Sequence, residues 1–449
     1  MPFFQHISAT IILSIFVSII PKVDAQNAPF PDMKDSWFRY IEAVEYLVGR
    51  NIINGYDDGT FKPDQAINRA EFLKIVFKGH NTIKPTRRCF SDINPDEWYA
   101  PYVCTAKNRG IVDGYPNGTF QPAQTINFAE AIKIVLGAYG REIEDGEGEN
   151  WFLPYVNELD EKDILPSHSY IPWKQLTRER AADLIWRIVR YEEDRIVPNL
   201  SNGCGKSKPK EPNSVTVREE IRSFLLTVPE NYEVSNPYSL IIAFHGRTNS
   251  NEQVRNYYGL DEEFNDAIII YPAGRKNGNS SFTWADPEIG SLPDVKLFDE
   301  IVEKLSEAYC IDLDQIKVVG HSLGGWMSNS LACIRGDVIE SSVSVGSSSI
   351  NKECSGPAAA LIVHNPNDNL AAFSGAKQTR IMRTEENSCS WNMQSEIDNL
   401  LCGKHTSCWG GNNVLWCPHE YNYDWKGNYY PHNWPPKMAE YIREFYEGL

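Results

Sequence analysis

From residue 221 onward, short unbroken apolar runs alternate with stretches of helical spacing. IRSFLLTVP (221–229), SLIIAFHG (239–246), DAIIIYPAG (266–274), QIKVVGHS (315–322), ESSVSVGS (340–347), AAALIVHN (358–365) and NNVLWC (412–417) are the strand candidates. Their apolar residues are consecutive rather than alternate, which suits strands buried on both faces of a mostly parallel sheet. Residues 294–309 and 434–448 space their apolar positions three and four apart and predict helices. Strands alternating with helices indicate an α/β layer architecture over 218–449.

The N-terminal part is patterned differently. NGYDDGTFKP (54–63) returns as DGYPNGTFQP (113–122), with Gly114 standing 59 residues after Gly55. FPDMKDSWF (30–38) is echoed by FSDINPDEWY (90–99), and a more divergent third copy runs from Trp151 to LTRERAADLIWRIV (176–189). Each unit predicts a helix after its tryptophan, a Gly-rich turn, and a second helix starting near Asn68 or Asn127. Trp37 and Trp98 are expected to pack between those helices. Residues 193–217 are expected to be a linker, because 196–217 is rich in Pro, Ser, Asn, Gly and Lys and keeps no apolar period. Ahead of the repeats, Ile7–Ile20 has the length of a signal-peptide core, and Val23-Asp24-Ala25 offers a cleavage site. Residues 1–25 are therefore an expected export signal, with an uncleaved anchor as the alternative. No membrane span is expected after cleavage.

The repeats resemble S-layer homology repeats. The features that carry the resemblance are F-x-D…W, G-Y-x-x-G-T-F-x-P and the T-R-A-E-like helix start. The resemblance implies an all-α module of three repeats over 28–192 (about 28–85, 86–145 and 146–192) that binds cell-wall polysaccharide. It also implies that the helix-start arginine helps line a glycan groove. Arg69 and Arg178 hold that position, while the second repeat has Phe128. A cationic helix start suits an anionic glycan group, with solvent-facing salt bridges as the competing role.

Composition narrows the possibilities. The 449 residues allow two or three domains, and the net charge of −17 argues against nucleic acid as a partner. Ten cysteines fit an exported, oxidising destination, and the repeat resemblance implies an extracellular location at the cell surface or cell wall. Cys89 and Cys104 are expected to pair. Cys389, Cys402, Cys408 and Cys417, with His405 and His419, admit a zinc site or disulfides, and the compartment favours disulfides. No cofactor or metal is expected.

The chemistry centres on GHSLG at 320–324, where a strand-like run enters G-x-S-x-G and a helix follows. This is the context of a nucleophile elbow. A serine hydroxyl needs a histidine base and an orienting acid, and on this fold they follow in the order Ser, acid, His. Asp368, after the strand ALIVHN, and His432, in YYPHNWPP, fall in that order behind Ser322. Asp398 and His419 are rivals for the acid and base. The backbone amides of Leu323 and Arg247 are the expected oxyanion donors. His321 and His364 are expected to be structural, and Trp284, Trp326 and Trp434 to be walls or core.

With YPAG, Trp284, H-x-x-x-D (364–368) and H-x-W-P (432–435), residues 218–449 resemble the polyhydroxybutyrate-depolymerase-like and feruloyl-esterase-like α/β-hydrolases. That resemblance implies a catalytic set of Ser322, Asp368 and His432 and ester substrates: feruloyl or acetyl esters of polysaccharide, or a short-chain polyester. Three positions depart from the pattern: Arg247 replaces a cysteine, Asn365-Pro366-Asn367 replaces Gly-x-x before the acid, and Pro431 replaces the glycine before the histidine. The alternatives are a peptidase on the same fold and a non-catalytic wall-binding protein that uses the domain as a scaffold.

Overall fold

The computed structural model describes residues 28–449 except 80–88, 163, 167–170, 195–198, 277–281, 285–292, 349–353, 355, 398–401 and 425. The expected export signal, 1–25, and the rival acid Asp398 lie outside the described residues.

The N-terminal module contains α1 (Phe38–Gly49), α2 (Arg69–Gly79), α3 (Ala100–Asn108), α4 (Phe128–Ala138), α5 (Leu153–Asp160) and α6 (Arg178–Asp194). Helix α4 begins with a capping box between Asn127 and Glu130. Asn68 and Glu71 repeat that box at α2, satisfying amides that the first turn leaves unpaired. The three helix starts meet around a cycle of backbone hydrogen bonds. Ile67 N–H donates to Leu176 O, Leu176 N–H to Ile126 O, and Ile126 N–H to Ile67 O, at 2.9, 2.9 and 3.1 Å. Residues near 176 thus repeat the contact made near 67 and 126, although their sequence has diverged.

The C-terminal part is built on a ten-stranded sheet. Its elements in chain order are β1 (Ser214–Val217), β2 (Glu220–Thr227), β3 (Tyr238–Phe244), α7 (Asn251–Tyr258), α8 (Leu260–Glu263), β4 (Ala267–Pro272), β5 (Arg275–Lys276), β6 (Phe282–Thr283), α9 (Pro293–Ala308), β7 (Ile311–His321) and α10 (Leu323–Ile334). They continue with β8 (Ser341–Val345), β9 (Ala359–His364), α11 (Phe373–Glu386), β10 (Met393–Ile397), β11 (Cys402–His405), β12 (Val414–Pro418) and α12 (Met438–Glu447). The sheet order is β1-β2-β4-β3-β7-β8-β9-β12-β11-β10, with β5 and β6 forming a separate ribbon. The strands from β4 through β12 run parallel, and antiparallel pairs flank them on both edges. Strands β3, β4, β8 and β9 are almost wholly buried, as their continuous apolar runs require.

All ten cysteines are paired: 89–104, 204–310, 333–354, 389–408 and 402–417. The crowded C-terminal set therefore makes two disulfides rather than a thiolate metal site.

Two expectations need correction. Within the expected linker, residues 199–217 are joined to the C-terminal part: Ser201 and Gly203 amides bond Ile311 O and Ser306 O, Cys204 is tied to Cys310, and 214–217 is already strand β1. The segment's polar composition hid these backbone pairings, which need no apolar period. Nor do the two tryptophans pack between the repeats' own helices. Trp98 is 50% exposed. Trp37 is buried against Phe298 of α9, ring centroids 6.0 Å apart.

Trp37 belongs to a contact between the modules. Asp337 takes an ion pair from Arg180 at 3.2 Å and a hydrogen bond from the Tyr40 hydroxyl. Lys174 reaches Cys354 O at 2.7 Å, and Trp409 packs on Phe152 and Trp173. A charged cavity of about 540 Å³ lies at this contact, lined by Glu179, Arg180, Asp299, Arg335 and Asp337 among others, with Ser322 outside it.

Candidate active site

Strand β7 ends at His321, and α10 starts at Leu323, so Ser322 occupies the turn between them with φ +57° and ψ −122°. Non-glycine residues rarely adopt this conformation, and surrounding structure must hold it. Gly324 permits the close approach: a Cβ there would lie 2.0 Å from Phe244 O at the end of β3. The turn is fastened by Ser322 N–H to Val345 O and Trp326 N–H to Ser322 O, at 2.9 and 3.0 Å.

His432 and Asp368 converge on this serine. With its proton on Nδ1, His432 donates to Asp368 Oδ2 at 2.6 Å, while the Ser322 hydroxyl donates to His432 Nε2 at 2.8 Å. The other carboxylate oxygen, Asp368 Oδ1, accepts the amides of Leu370 and Ala371 at 2.8 and 2.9 Å. Burial raises the Asp368 pKa, but the His432 contact and the amide bonds outweigh it and hold the carboxyl below its usual value. This carboxylate is thereby kept ionised beside the imidazole. Gly346, at φ +57°, passes close behind the pair: a Cβ there would lie 3.2 Å from His432 Nδ1.

The remaining histidines are placed elsewhere. His419 is buried, accepts Tyr421 N–H on Nδ1 at 3.3 Å, and is held neutral chiefly by burial, which lowers its pKa to about 4. Its ring contacts the 421 segment and its backbone N–H donates to His364 O at 3.1 Å, and it is His432 that reaches Ser322. His364 donates to Ala371 O at 3.0 Å. His321 packs on the His432 ring at 4.8 Å, and burial, followed by His432, lowers its pKa to about 3.

The loop after β3 is locked against the serine. Gly246 approaches closely enough that its Cβ would lie 3.4 Å from Ser322 Cβ. His245 O accepts the Trp284 indole N–H at 2.9 Å, and Arg247 O accepts Phe282 N–H at 2.7 Å. His245 Nε2 accepts Gly274 N–H at 2.8 Å. Trp284 is therefore a brace for this loop, and Trp434 stacks on Tyr258 at 4.0 Å.

Two buried asparagines, Asn433 and Asn365, the latter noted in the sequence only as a departure from the pattern, tie the site together. Asn365 and Asn433 both donate to Tyr421 O, at 2.9 and 3.0 Å, fixing the segments that carry Asp368 and His432 to one another. Asn365 was signalled by standing where the pattern has glycine, three residues before the acid, and Asn433 only by directly following His432.

In the helical module both arginines are buried. Arg69 Nε donates to Phe120 O at 3.1 Å and covers the Phe120 and Tyr115 rings. Arg178 Nε donates to Phe61 O at 2.8 Å and covers Tyr56 and Phe61. Each thus joins one unit's helix start to another's G-T-F turn. Phe128, at the corresponding place, is also buried. The exposed Trp98 ring lies 5.0 Å from the Lys74 ammonium.

A serine at such a turn, on a mostly parallel sheet and within reach of a carboxylate-oriented imidazole, is the arrangement of the α/β serine hydrolases. Comparison with known proteins makes this more particular. The chain is 33% identical over 217 residues to the probable feruloyl esterase C of Aspergillus flavus, spanning 46% of this chain and 75% of that protein. It is 30% identical over 244 residues to feruloyl esterase D of Neurospora crassa, spanning 49% and 80%. The chain belongs to this feruloyl esterase family and is a serine carboxylic ester hydrolase. Residues 29–73 and 90–132 match the S-layer homology domain. The chain is also similar to the cellulosome-anchoring protein of Acetivibrio thermocellus, 32% identical over 155 residues and spanning 31% of this chain and 33% of that one.

Proposed function

We propose that this protein is an exported esterase, held at the cell wall by its helical module, that cleaves carboxylic esters through Ser322, His432 and Asp368. The observation that carries this reading is the continuous hydrogen-bonded line Asp368–His432–Ser322, at 2.6 and 2.8 Å, ending on a serine at positive φ. Ser322 Oγ attacks the ester carbonyl while His432 Nε2 takes its proton. The resulting imidazolium is stabilised by Asp368 and then protonates the departing alcohol. Water, deprotonated by the same imidazole, releases the acid from the acyl-enzyme. The Leu323 and Arg247 amides hold the oxyanion; the carbonyls of His245 and Arg247 are engaged by Trp284 and Phe282. Such preorganised donors are worth about 3–4 kcal/mol each in the transition state.

The substrates are feruloyl or acetyl esters of polysaccharide or short-chain polyesters, and the named relatives support the feruloyl ester among these. Three S-layer homology repeats bind cell-wall polysaccharide, and Arg69 and Arg178 stand in the walls between repeats where the glycan lies. The matched repeats and the anchoring relative support this assignment. The test is a set of initial rates on p-nitrophenyl acetate, methyl ferulate and hydroxybutyrate oligomers for the wild type and Ser322→Ala. Turnover lost in the variant supports the reading; equal rates in both proteins would refute it.

A further inference from the structure

Residues 421–431 lead directly into His432. Among them Tyr423 and Tyr429 form an isolated antiparallel bridge, with Asp424 N–H bonded to Asn428 O at 2.9 Å and Tyr430 N–H to Asn422 O at 2.7 Å. The opposed Tyr423 and Tyr429 rings lie 5.8 Å apart edge to face. Asp424 closes the turn by accepting Lys426 N–H and Asn428 N–H, and Asn433 pins the base of the ribbon through Tyr421 O and Tyr423 O. Tyr423 and Tyr429 are nonetheless 64% and 61% exposed. Tyr430 is partly exposed with its ring 6.1 Å from His432, and Tyr257 of α7 is partly exposed with its ring 6.5 Å from Trp434, two residues after His432. A hydrogen-bonded ribbon with open aromatic faces, ending in a tyrosine beside the His432 imidazole, is not what core packing requires.

The chemistry says which half of the substrate meets this surface. His432 returns its proton to the leaving alkoxide, so groups against His432 neighbour the alcohol half of the ester, while the oxyanion loop lies at the carbonyl. We propose that Tyr430 and Tyr257, continued by Tyr423 and Tyr429, form a carbohydrate platform that binds the sugar carrying the acyl group. The inference rests on the esterase reading and deepens it, selecting a polysaccharide ester over a polyester. Tyrosine rings stack on the C–H faces of a sugar, and their hydroxyls, with Asn422, Asp424 and Asn428 around the ribbon, suit a ligand dense in hydroxyl groups. A polyester offers acceptors but no such donors along its chain.

The test uses the full chain carrying Ser322→Ala, which leaves substrate intact, with binding measured by calorimetry. The probes are a feruloylated arabino-oligosaccharide, methyl ferulate and a hydroxybutyrate trimer. Adding Tyr430→Ala is expected to weaken the oligosaccharide ester about tenfold more than methyl ferulate, and Tyr430→Phe to keep most of that preference because the ring face remains. In the active enzyme the same ratio should fall through KM rather than kcat. Equal losses on both ferulate probes, no loss on either, or tighter binding of the hydroxybutyrate trimer than of the sugar ester would overturn the platform. Wild-type turnover of methyl ferulate tests the esterase reading by itself, so the two failures are separable.

Discussion

The esterase domain and the helical module each carry side chains that the sequence singles out, and the structure treats the two sets differently. In the esterase domain, Asp368 and His432 lie on loops far apart in the chain, and their hydrogen bonds run outward to a serine hydroxyl at a turn. In the helical module, Arg69 and Arg178 direct their Nε–H groups inward to backbone carbonyls and lay their guanidinium planes on aromatic rings. The first set orients an imidazole against a hydroxyl; the second uses part of its hydrogen bonding to join repeats. A charged residue at a motif position can therefore serve the fold as well as the ligand, and substitution should distinguish the two.

The largest effect is expected at the nucleophile. Ser322→Ala should lower kcat on any accepted ester by about 10⁶-fold with the melting temperature nearly kept, as measured by initial rates and thermal unfolding. Asp368→Asn keeps the shape but leaves the imidazole in the wrong tautomer, so kcat should fall about 10⁴-fold. Gly346→Ala adds a methyl 3.2 Å from His432 Nδ1 at a positive-φ position. Its activity should fall about 10²-fold through misplacement of the base, a loss visible in kcat more than in KM.

Arg69→Ala and Arg178→Ala sharpen the comparison from the other side. Each leaves a buried carbonyl without its donor and should cost about 1–3 kcal/mol in denaturant unfolding of the helical module. Esterase rates should not move, and binding to purified wall glycan should weaken. Wall binding that survives both substitutions in folded protein would remove the arginines from the groove and leave them purely structural.

The smallest effect concerns the contact between the modules. Burial first, and then Asp64 and Asp337, raise the Glu179 pKa from 4.5 to about 7. A carboxyl that binds its proton more tightly when folded contributes stability that is full below about 4.5 and lost as pH rises through about 7. Glu179→Gln should therefore melt higher than wild type at pH 8 and equally at pH 4. A uniform shift at both pH values would contradict this linkage.

Much of the esterase domain was legible because the physics that builds it is written in consecutive residues. The buried parallel strands need unbroken apolar runs, and 239–246, 266–274 and 358–365 supply them. That Ser322, Asp368 and His432 come together was legible because each follows or precedes a recognisable element in the expected order. The edge strands β1 and β10, and β11 beside the latter, were not legible: four or five residues long and interrupted by polar side chains, they are held by pairing more than by burial. The contact between the modules was also hidden. Trp37 has the spacing of a helix-packing residue, and nothing local shows that its partner is Phe298. Trp98 shares that spacing and is open to solvent, so position in a repeat did not determine burial. The pinning of 199–205 was invisible for a similar reason: backbone hydrogen bonds and a distant cysteine carry it, whatever the side chains around them.

The most direct measurement of the central claim is intact-mass detection of fluorophosphonate labelling on the folded, disulfide-bonded chain. An activated serine at residue 322 predicts one adduct per molecule, absent in Ser322→Ala and slowed strongly in Asp368→Asn. No adduct, or an adduct that persists in Ser322→Ala, would contradict the account.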